Sequence, residues 1–294
     1  MMQTVGILGL GGIGGTAARL LLRAGQGVNA VDRESAKWLP DAGGSLVADA
    51  KTLAATVDII IVALASEDAV ADAYLGRNGL VAGGRDGLII ADMGTFAVVQ
   101  KEEVKAALDP TGVMMLDTPI SGTPEAMESG RAVIMMSGNE TACEVVRPVL
   151  ELLAGKCLYV GEFGAGMKLK FVLNSLVAGH AMVAAEALLM GMRSGLDPQQ
   201  IIDVVTPSVA TSSQFELRAP IMAARKWQPA TAPARLVHKD LHYIVDHAER
   251  LGVPAPISKI AAHYFDKLGE MGRLEDELAA VFEALEADAT GKNS

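Results

Sequence analysis

Thr4-Val5-Gly6-Ile7-Leu8-Gly9-Leu10-Gly11-Gly12-Ile13-Gly14 decides the fold of this chain. Thr4 to Leu8 is a short apolar run suited to a buried parallel strand. Gly9 to Gly14 then spells G-x-G-x-x-G, and Thr16 to Ala24 follows with helical spacing. The glycine pattern alone is weak evidence; strand, pattern and helix in direct succession point to a dinucleotide-phosphate loop. The first glycine permits a tight turn, the second lets a pyrophosphate approach the backbone, and the third lets the helix pack close to the strand. The helix start adds unpaired N–H groups and the positive end of its dipole. Gly9, Leu10, Gly11, Gly12, Ile13 and Gly14 are therefore assigned to cofactor binding.

Working outward, Gly27 to Val31 reads as a second strand, with Asp32 at its end where an acidic side chain reads the adenosine ribose. A carboxylate there accepts from both ribose hydroxyls and repels a 2′-phosphate, which favours NAD. Arg33 follows at once and could hold such a phosphate, so NADP stays open. The competing reading of Asp32 is a cap for a helix starting near Glu34. Val57 to Leu64 is a continuous apolar strand, Glu67 to Tyr74 a short helix, and Leu88 to Ala91 a strand ending at Asp92-Met93-Gly94-Thr95. A helix then runs to about Leu108, and Gly112 to Leu116 closes on Asp117-Thr118-Pro119-Ile120-Ser121-Gly122-Thr123-Pro124. Buried strands alternating with helices indicate an α/β fold with a mostly parallel, doubly wound sheet, which binds ligands at the carboxyl ends of its strands. Ser121, Gly122 and Thr123 offer two hydroxyls and an approachable backbone, suited to a carboxylate; the alternative is a plain Pro/Gly turn. Ala132 to Met136 and Cys157 to Val160 add two strands around a helix from Glu140 to Ala154.

Gly161 to Gly166 marks a boundary, giving domains 1–162 and 163–294. Gly164-Ala165-Gly166-Met167-Lys168-Leu169-Lys170-Phe171-Val172-Leu173-Asn174 opens a long apolar helix, Met167 to Ser194, about 40 Å at 1.5 Å per residue. Lys170 and Asn174 stand one turn apart on one face. Packing explains such a pair poorly, although a solvated Lys–Asn face remains the simpler alternative. Downstream, helical segments are broken by Pro198, Pro207, Pro220, Pro229 and Pro233, and His238-Lys239-Asp240-Leu241 opens another helix. Two further helices reach about Ala287, and Thr290 to Ser294 reads as a disordered tail. His180 and His238 show no partner pattern and are assigned to helix surfaces or interfaces.

A formal charge of −10 argues against nucleic acid or an anionic membrane as the main partner. The two cysteines, Cys143 and Cys157, form no bridge framework and no metal-ligand spacing, so a reducing cytoplasmic setting and no metal are expected. The N-terminus has no basic region ahead of an apolar core and does not read as a signal peptide. The run Ser175 to Met192 contains His180 and Glu186, and reads as a helix packed on a partner or second domain, not a membrane span.

With these pieces assembled, the chain resembles the β-hydroxyacid dehydrogenase family, which includes 3-hydroxyisobutyrate dehydrogenase, tartronate semialdehyde reductase and, more distantly, 6-phosphogluconate dehydrogenase. Four ordered motifs carry the resemblance across nearly the whole chain. The family's G-L-G-x-M-G is Gly9 to Gly14, with Ile13 for methionine. Its D-x-P-v-S-G-G is Asp117 to Thr123, with Thr123 for the last glycine. Its G-x-G-x-x-x-K-x-x-N-N is Gly164 to Asn174, with Leu173 for the first asparagine, and its K-D is Lys239-Asp240. Two further departures fall near the nicotinamide: Leu64-Ala65 replaces Leu-Pro, and Asp92-Met93-Gly94-Thr95 replaces D-x-S-T.

The resemblance implies a Rossmann-type sheet followed by an all-α C-terminal domain, joined by the long inter-domain helix. It implies reversible oxidation of a small 3-hydroxy acid to a semialdehyde or keto acid with NAD or NADP. Lys170 would be the general acid/base, Asn174 a substrate holder, and Ser121, Gly122 and Thr123 the carboxylate site. Leu64, Ala65, Thr95 and Lys239 would lie along the cofactor. A homodimer or homotetramer is implied. The alternatives are an imine reductase-like NADPH enzyme, against which Lys170 counts, and a non-catalytic nucleotide-binding scaffold.

Overall fold

The strands of the first half are apolar on consecutive residues, which buries them on both faces. Ile59 and Ile61 of one strand join one core cluster, while Ile60 and Val62 join another. Alternate side chains of a strand point to opposite faces, so a sheet covered on both sides needs unbroken apolar runs. In the computed structural model, residues 4–31 and 36–289 are described. Asp32, Arg33, the helix expected near Glu34 and the tail from Thr290 lie outside them. The chain divides into two compact units, Met1–Lys170 and Phe171–Ser294.

In the first unit, β1 (Thr4–Leu8), β2 (Gly27–Val31), β3 (Ser45–Val47), β4 (Ile59–Val62), β5 (Ile89–Asp92) and β6 (Met114–Asp117) form one six-stranded sheet in the order β3-β2-β1-β4-β5-β6. All its pairings are parallel. The strand order reverses between β1 and β4, the crevice where doubly wound folds bind dinucleotides. The helices α1 (Gly12–Arg23), α2 (Ala50–Thr56), α3 (Glu67–Leu75), α4 (Leu80–Gly83) and α5 (Val98–Leu108) connect these strands. The doubly wound parallel sheet expected from the sequence is present. The short edge strand β3 is an addition to that expectation; only Leu46 and Val47 carry it, between a glycine pair and Asp49.

The next strands do not extend that sheet. β7 (Ile120–Ser121), β8 (Val133–Met136) and β9 (Lys156–Tyr159) form a separate three-stranded sheet, with β7 antiparallel to β8 and β8 parallel to β9. The last two are the strands read from sequence at Ala132 to Met136 and Cys157 to Val160, and the structure places them in a sheet of their own. Pro119 follows β6 almost at once and has no N–H for a continuing ladder. The chain instead meets β8 in opposite direction, through an Asp117–Ser137 bridge and a bond from Met135 N to Pro119 O. α6 (Pro124–Glu128) and α7 (Glu140–Leu150) complete this part.

α8 (Ala165–Arg193) begins in the first unit and supplies most of its length to the second. Among the described residues it alone is long and apolar enough to cross a membrane, and 39% of its most apolar window is buried within the protein. The second unit is helical, as expected, with α9 (Pro198–Val205), α10 (Ser213–Ala224), α11 (Ala234–Arg250), α12 (Pro256–Glu270) and α13 (Val281–Ala289). Its core packs Ala178, Ala181, Ala185 and Leu188 of α8 with Leu241, Phe265 and Phe282. The entry to α11 is fixed by a buried ion pair. Arg218 contacts Glu277 Oε1 at 2.5 Å, and Glu277 Oε2 accepts from Thr231 N at 2.8 Å and Ala232 N at 2.9 Å.

Candidate active site

The phosphate loop follows from glycine placement. Gly9 directly follows β1 with φ +97°, a conformation other residues adopt only under strain. A Cβ on Gly14 would run into the Gly9 carbonyl, whereas one on Gly11 would meet nothing within 4 Å. One glycine is thus required by the fold, and the other faces open space. α1 starts at Gly12 with Gly11 as its N-cap, no capping side chain and no acid in its first turn. Free N–H groups, a positive dipole end and an approachable backbone fit the pyrophosphate of a nicotinamide dinucleotide. Leu10 and Gly14 are buried, Gly12 is exposed, and Ile13 packs against the core. Leu64 and Ala65 follow β4, and Thr95 follows β5, all at carboxyl ends of the sheet.

Gly94, where the family pattern has serine, has a simple local cause. A Cβ there would overlap the buried Phe96 ring, while Gly94 N donates to Asp92 Oδ1 at 2.8 Å.

Beneath these ends lies a network absent from the motifs legible in the sequence. Lys101, 3% exposed, stands 2.7 Å from Asp117 Oδ1 and 3.1 Å from Asp92 Oδ1. Tyr74 donates its hydroxyl to Asp92 Oδ2 at 2.6 Å. Burial works to lower the Lys101 ammonium, but Asp117 and Asp92 outweigh it and hold its pKa above the ordinary value. Burial, then the Asp92 charge, push the Tyr74 phenol well up. Asp117 Oδ2 accepts from Met167 N at 2.8 Å, and Ser137 Oγ accepts from Gly166 N at 3.0 Å. The first turn of α8 is thereby tied to the end of β6. The sequence needs glycine at 166 for the same reason: a Cβ would press on Asp117 O, Met135 O and the Pro119 ring at 2.9 to 3.0 Å.

One turn along, Lys170 Nζ donates to Ile120 O at 2.8 Å. The amine therefore sits beside the residue preceding Ser121, so two motifs fifty residues apart in sequence meet within the first unit. Ser121 ends β7, and Gly122 is exposed. Thr123 serves the local structure. Its Oγ1 accepts from Ala126 N at 3.4 Å, capping α6, and its hydroxyl holds the Glu125 carboxyl below the usual range.

In the second unit, Asn174 Nδ2 donates to Asp240 Oδ2 at 2.6 Å. Lys239 Nζ lies 3.0 Å from Asp240 Oδ1, close enough for an ion pair but off the line of a hydrogen bond. It also lies 5.1 Å from the Tyr243 ring centroid. The K-D pair thus has an observed role: its Asp240 fixes the Asn174 amide. His238, assigned from sequence to a helix surface or interface, pairs with Asp266 at 2.8 Å. Cys143 and Cys157 are free and buried, and burial pushes both thiols up to about 11.

A glycine loop at the reversal of a doubly wound sheet defines the class: an α/β dinucleotide-binding protein with a helical second half. Residues 4–161 match the family model of the NAD binding domain of 6-phosphogluconate dehydrogenase. Residues 164–285 match that of the NAD-binding region of NADP-dependent 3-hydroxyisobutyrate dehydrogenase. L-threonate dehydrogenase of Cupriavidus necator is 33% identical over 96% of this chain and 95% of that protein. The structure of Mycobacterium tuberculosis 3-hydroxyisobutyrate dehydrogenase with L-serine superposes with a TM-score of 0.87 and 27% identity, covering 98% of this chain and 100% of that one. An imine reductase from a Pseudomonas species, 22% identical with a TM-score of 0.66 over 97% and 100% of the two chains, shares the fold. The chain belongs to the β-hydroxyacid dehydrogenase family of NAD(P)-dependent oxidoreductases.

Proposed function

We propose that this enzyme reversibly oxidises a small 3-hydroxy acid to its semialdehyde or keto acid, with Lys170 as general acid/base and NAD as preferred cofactor. The observation that carries the assignment is the 2.8 Å bond from Lys170 Nζ to Ile120 O, at the threshold of Ser121. Bound through the Gly9 to Gly14 loop, the cofactor supplies a hydride acceptor in oxidation and a donor in reduction. As the substrate carbon loses hydride, the neutral Lys170 amine takes the hydroxyl proton, and the C–O bond becomes a carbonyl. A neutral amine keeps two N–H donors and one lone pair, so it can hold Ile120 O while accepting that proton. In reduction the ammonium returns it.

Ser121 and the Gly122 backbone bind the carboxylate in this proposal, with Thr123 shaping the turn through its cap. Asn174, oriented by Asp240, holds the substrate, and Lys239 is assigned to cofactor binding from the K-D motif. The preference for NAD rests on the sequence alone, on an acidic Asp32 after β2, with Arg33 keeping NADP as the alternative. L-threonate and 3-hydroxyisobutyrate, the acids after which two relatives are named, are small hydroxylated carboxylates that suit such a site. A cytoplasmic homodimer or homotetramer completes the proposal; the exposed Val172, Leu176, Val183 and Met190 of α8 support an apolar partner face.

The test is a spectrophotometric screen with NAD and NADP against hydroxyisobutyrate, threonate, glycerate, serine and a sulfonate analogue. A clear rate with one acid supports the proposal and names the substrate. Silence across the panel, with nucleotide binding intact, overturns it in favour of imine reduction or a scaffold. Light scattering that returns the mass of one chain overturns the oligomer.

A further inference from the structure

His238 and His242 stand four residues apart on α11, so their rings leave one face of the helix one turn apart. Asp266 reaches them from α12. Its Oδ1 lies 2.8 Å from His238 Nε2 and 2.9 Å from His242 Nε2, and the two nitrogens are 3.4 Å apart. The rings meet edge-on, with an interplanar angle of 85°. Three ligand atoms on two helices thus converge on one small triangle, all within the second unit.

Hydrogen bonding alone serves this triangle poorly. Both nitrogens must present N–H groups to the same carboxylate oxygen, which brings two partial positive charges together. A divalent cation replaces both protons with one centre that all three lone pairs can face. Zinc takes His nitrogen and carboxylate oxygen at about 2.0–2.2 Å in tetrahedral geometry, which sets ligand–ligand separations near 3.3 Å. The nitrogen–nitrogen edge already has that length. The two shorter edges need an opening of roughly half an ångström, a small rotamer adjustment for side chains 27%, 52% and 43% exposed.

We propose that His238, His242 and Asp266 form a binding site for a divalent transition-metal ion, with zinc as the fitting ion. Two imidazoles and one carboxylate are a borderline donor set that suits zinc over magnesium or calcium. Solvent reaches the triangle, so water completes the tetrahedron. At 100° per residue, Asp240 leaves α11 on nearly the opposite side from the two histidines. The ion therefore acts as a staple between α11 and α12, separate from the hydride chemistry. A ligand bound only by the folded state stabilises it by mass action.

The experiment uses the untagged full chain, stripped with a chelator and dialysed. Zinc is titrated calorimetrically, with thermal unfolding followed in parallel, and cobalt(II) is added as a spectroscopic probe. The expected result is one zinc per chain, a raised unfolding midpoint, and a cobalt absorption of tetrahedral type. His242→Ala and Asp266→Asn should each weaken binding by at least about tenfold, and should abolish the cobalt band while circular dichroism stays unchanged. No saturable zinc binding to the parent chain overturns the proposal. Equal binding by the parent and by both variants also overturns it, because the zinc then sits elsewhere.

Discussion

The Met167 N–H donates to Asp117 Oδ2 across 2.8 Å, joining the first turn of α8 to the last residue of β6. The other oxygen of the same carboxylate is held by Lys101 at 2.7 Å. The helix that carries Lys170 is thus registered on the sheet through a buried, charged anchor. A shift of that helix would strip a buried carboxylate of a partner, so the position of the amine is held stiffly.

Lys101→Met tests the anchor. The apolar stem survives, but Asp92 and Asp117 are left buried without their cation. Removing one partner of a buried ion pair typically costs about 3–5 kcal/mol. Urea unfolding of the variant should show a midpoint lowered to match. A midpoint equal to the parent's would mean that water or rearrangement replaces the lysine.

The same cluster sets an alkaline limit. Lys101 and Tyr74 both have folded pKa values above their ordinary ones. A raised folded value means that the folded state holds its proton more tightly. The stability contribution is then full below the unfolded values, about 10.4 for lysine and about 10 for tyrosine, and is lost as pH rises through the folded ones. Urea midpoints should stay level through neutrality and fall above about pH 10. Tyr74→Phe should be weaker at neutral pH, having lost the bond to Asp92, yet show a shallower alkaline fall. Identical alkaline slopes would remove Tyr74 from the cause.

The phosphate loop separates fold from function within four residues. Gly14→Ala drives a Cβ into the Gly9 carbonyl, so expression or thermal stability should collapse. Gly11→Leu points its side chain into open space, so thermal stability should remain near the parent's. Nucleotide affinity, read by fluorescence titration, should fall by at least about tenfold, because a close phosphate approach is blocked. Unchanged affinity in Gly11→Leu would take the pyrophosphate away from this loop.

The large sheet is legible because unbroken apolar runs and a six-residue glycine pattern leave few alternatives; β1 and β2 are found at the residues read from sequence. The separate small sheet is not, since strand direction after Pro119 depends on bridges that periodicity does not encode. Lys101 escapes motif reading although a signal exists. It shares the buried stripe of α5 with Val104 and Leu108, while Asp92 and Asp117 end adjacent strands at partnered positions. A cation on an apolar stripe near two paired carboxylates is a buried triad written in sequence. His242 and Asp266 carry no such mark, because α11 and α12 meet only through tertiary packing. Lys170 and Asn174 are visible as one-turn neighbours; their partners Ile120 and Asp240 are visible only as motif members.

The proposed acid/base role of Lys170 is separable from its charge. Lys170→Ala should lower kcat by about 10²–10⁴-fold, the usual contribution of a positioned acid/base group, with the nucleotide dissociation constant nearly unchanged. Lys170→Arg keeps a cation and a donor toward Ile120 O but cannot give up its proton. It should therefore be as impaired as the alanine variant. A largely restored rate in Lys170→Arg would reassign the residue to electrostatic positioning. Asp240→Ala supplies the contrast, since it releases the Asn174 amide without touching the amine. Its substrate KM should rise while the Lys170-dependent limb of the pH–rate profile is retained. Loss of that limb would mean that the carboxylate, not the lysine, governs the proton.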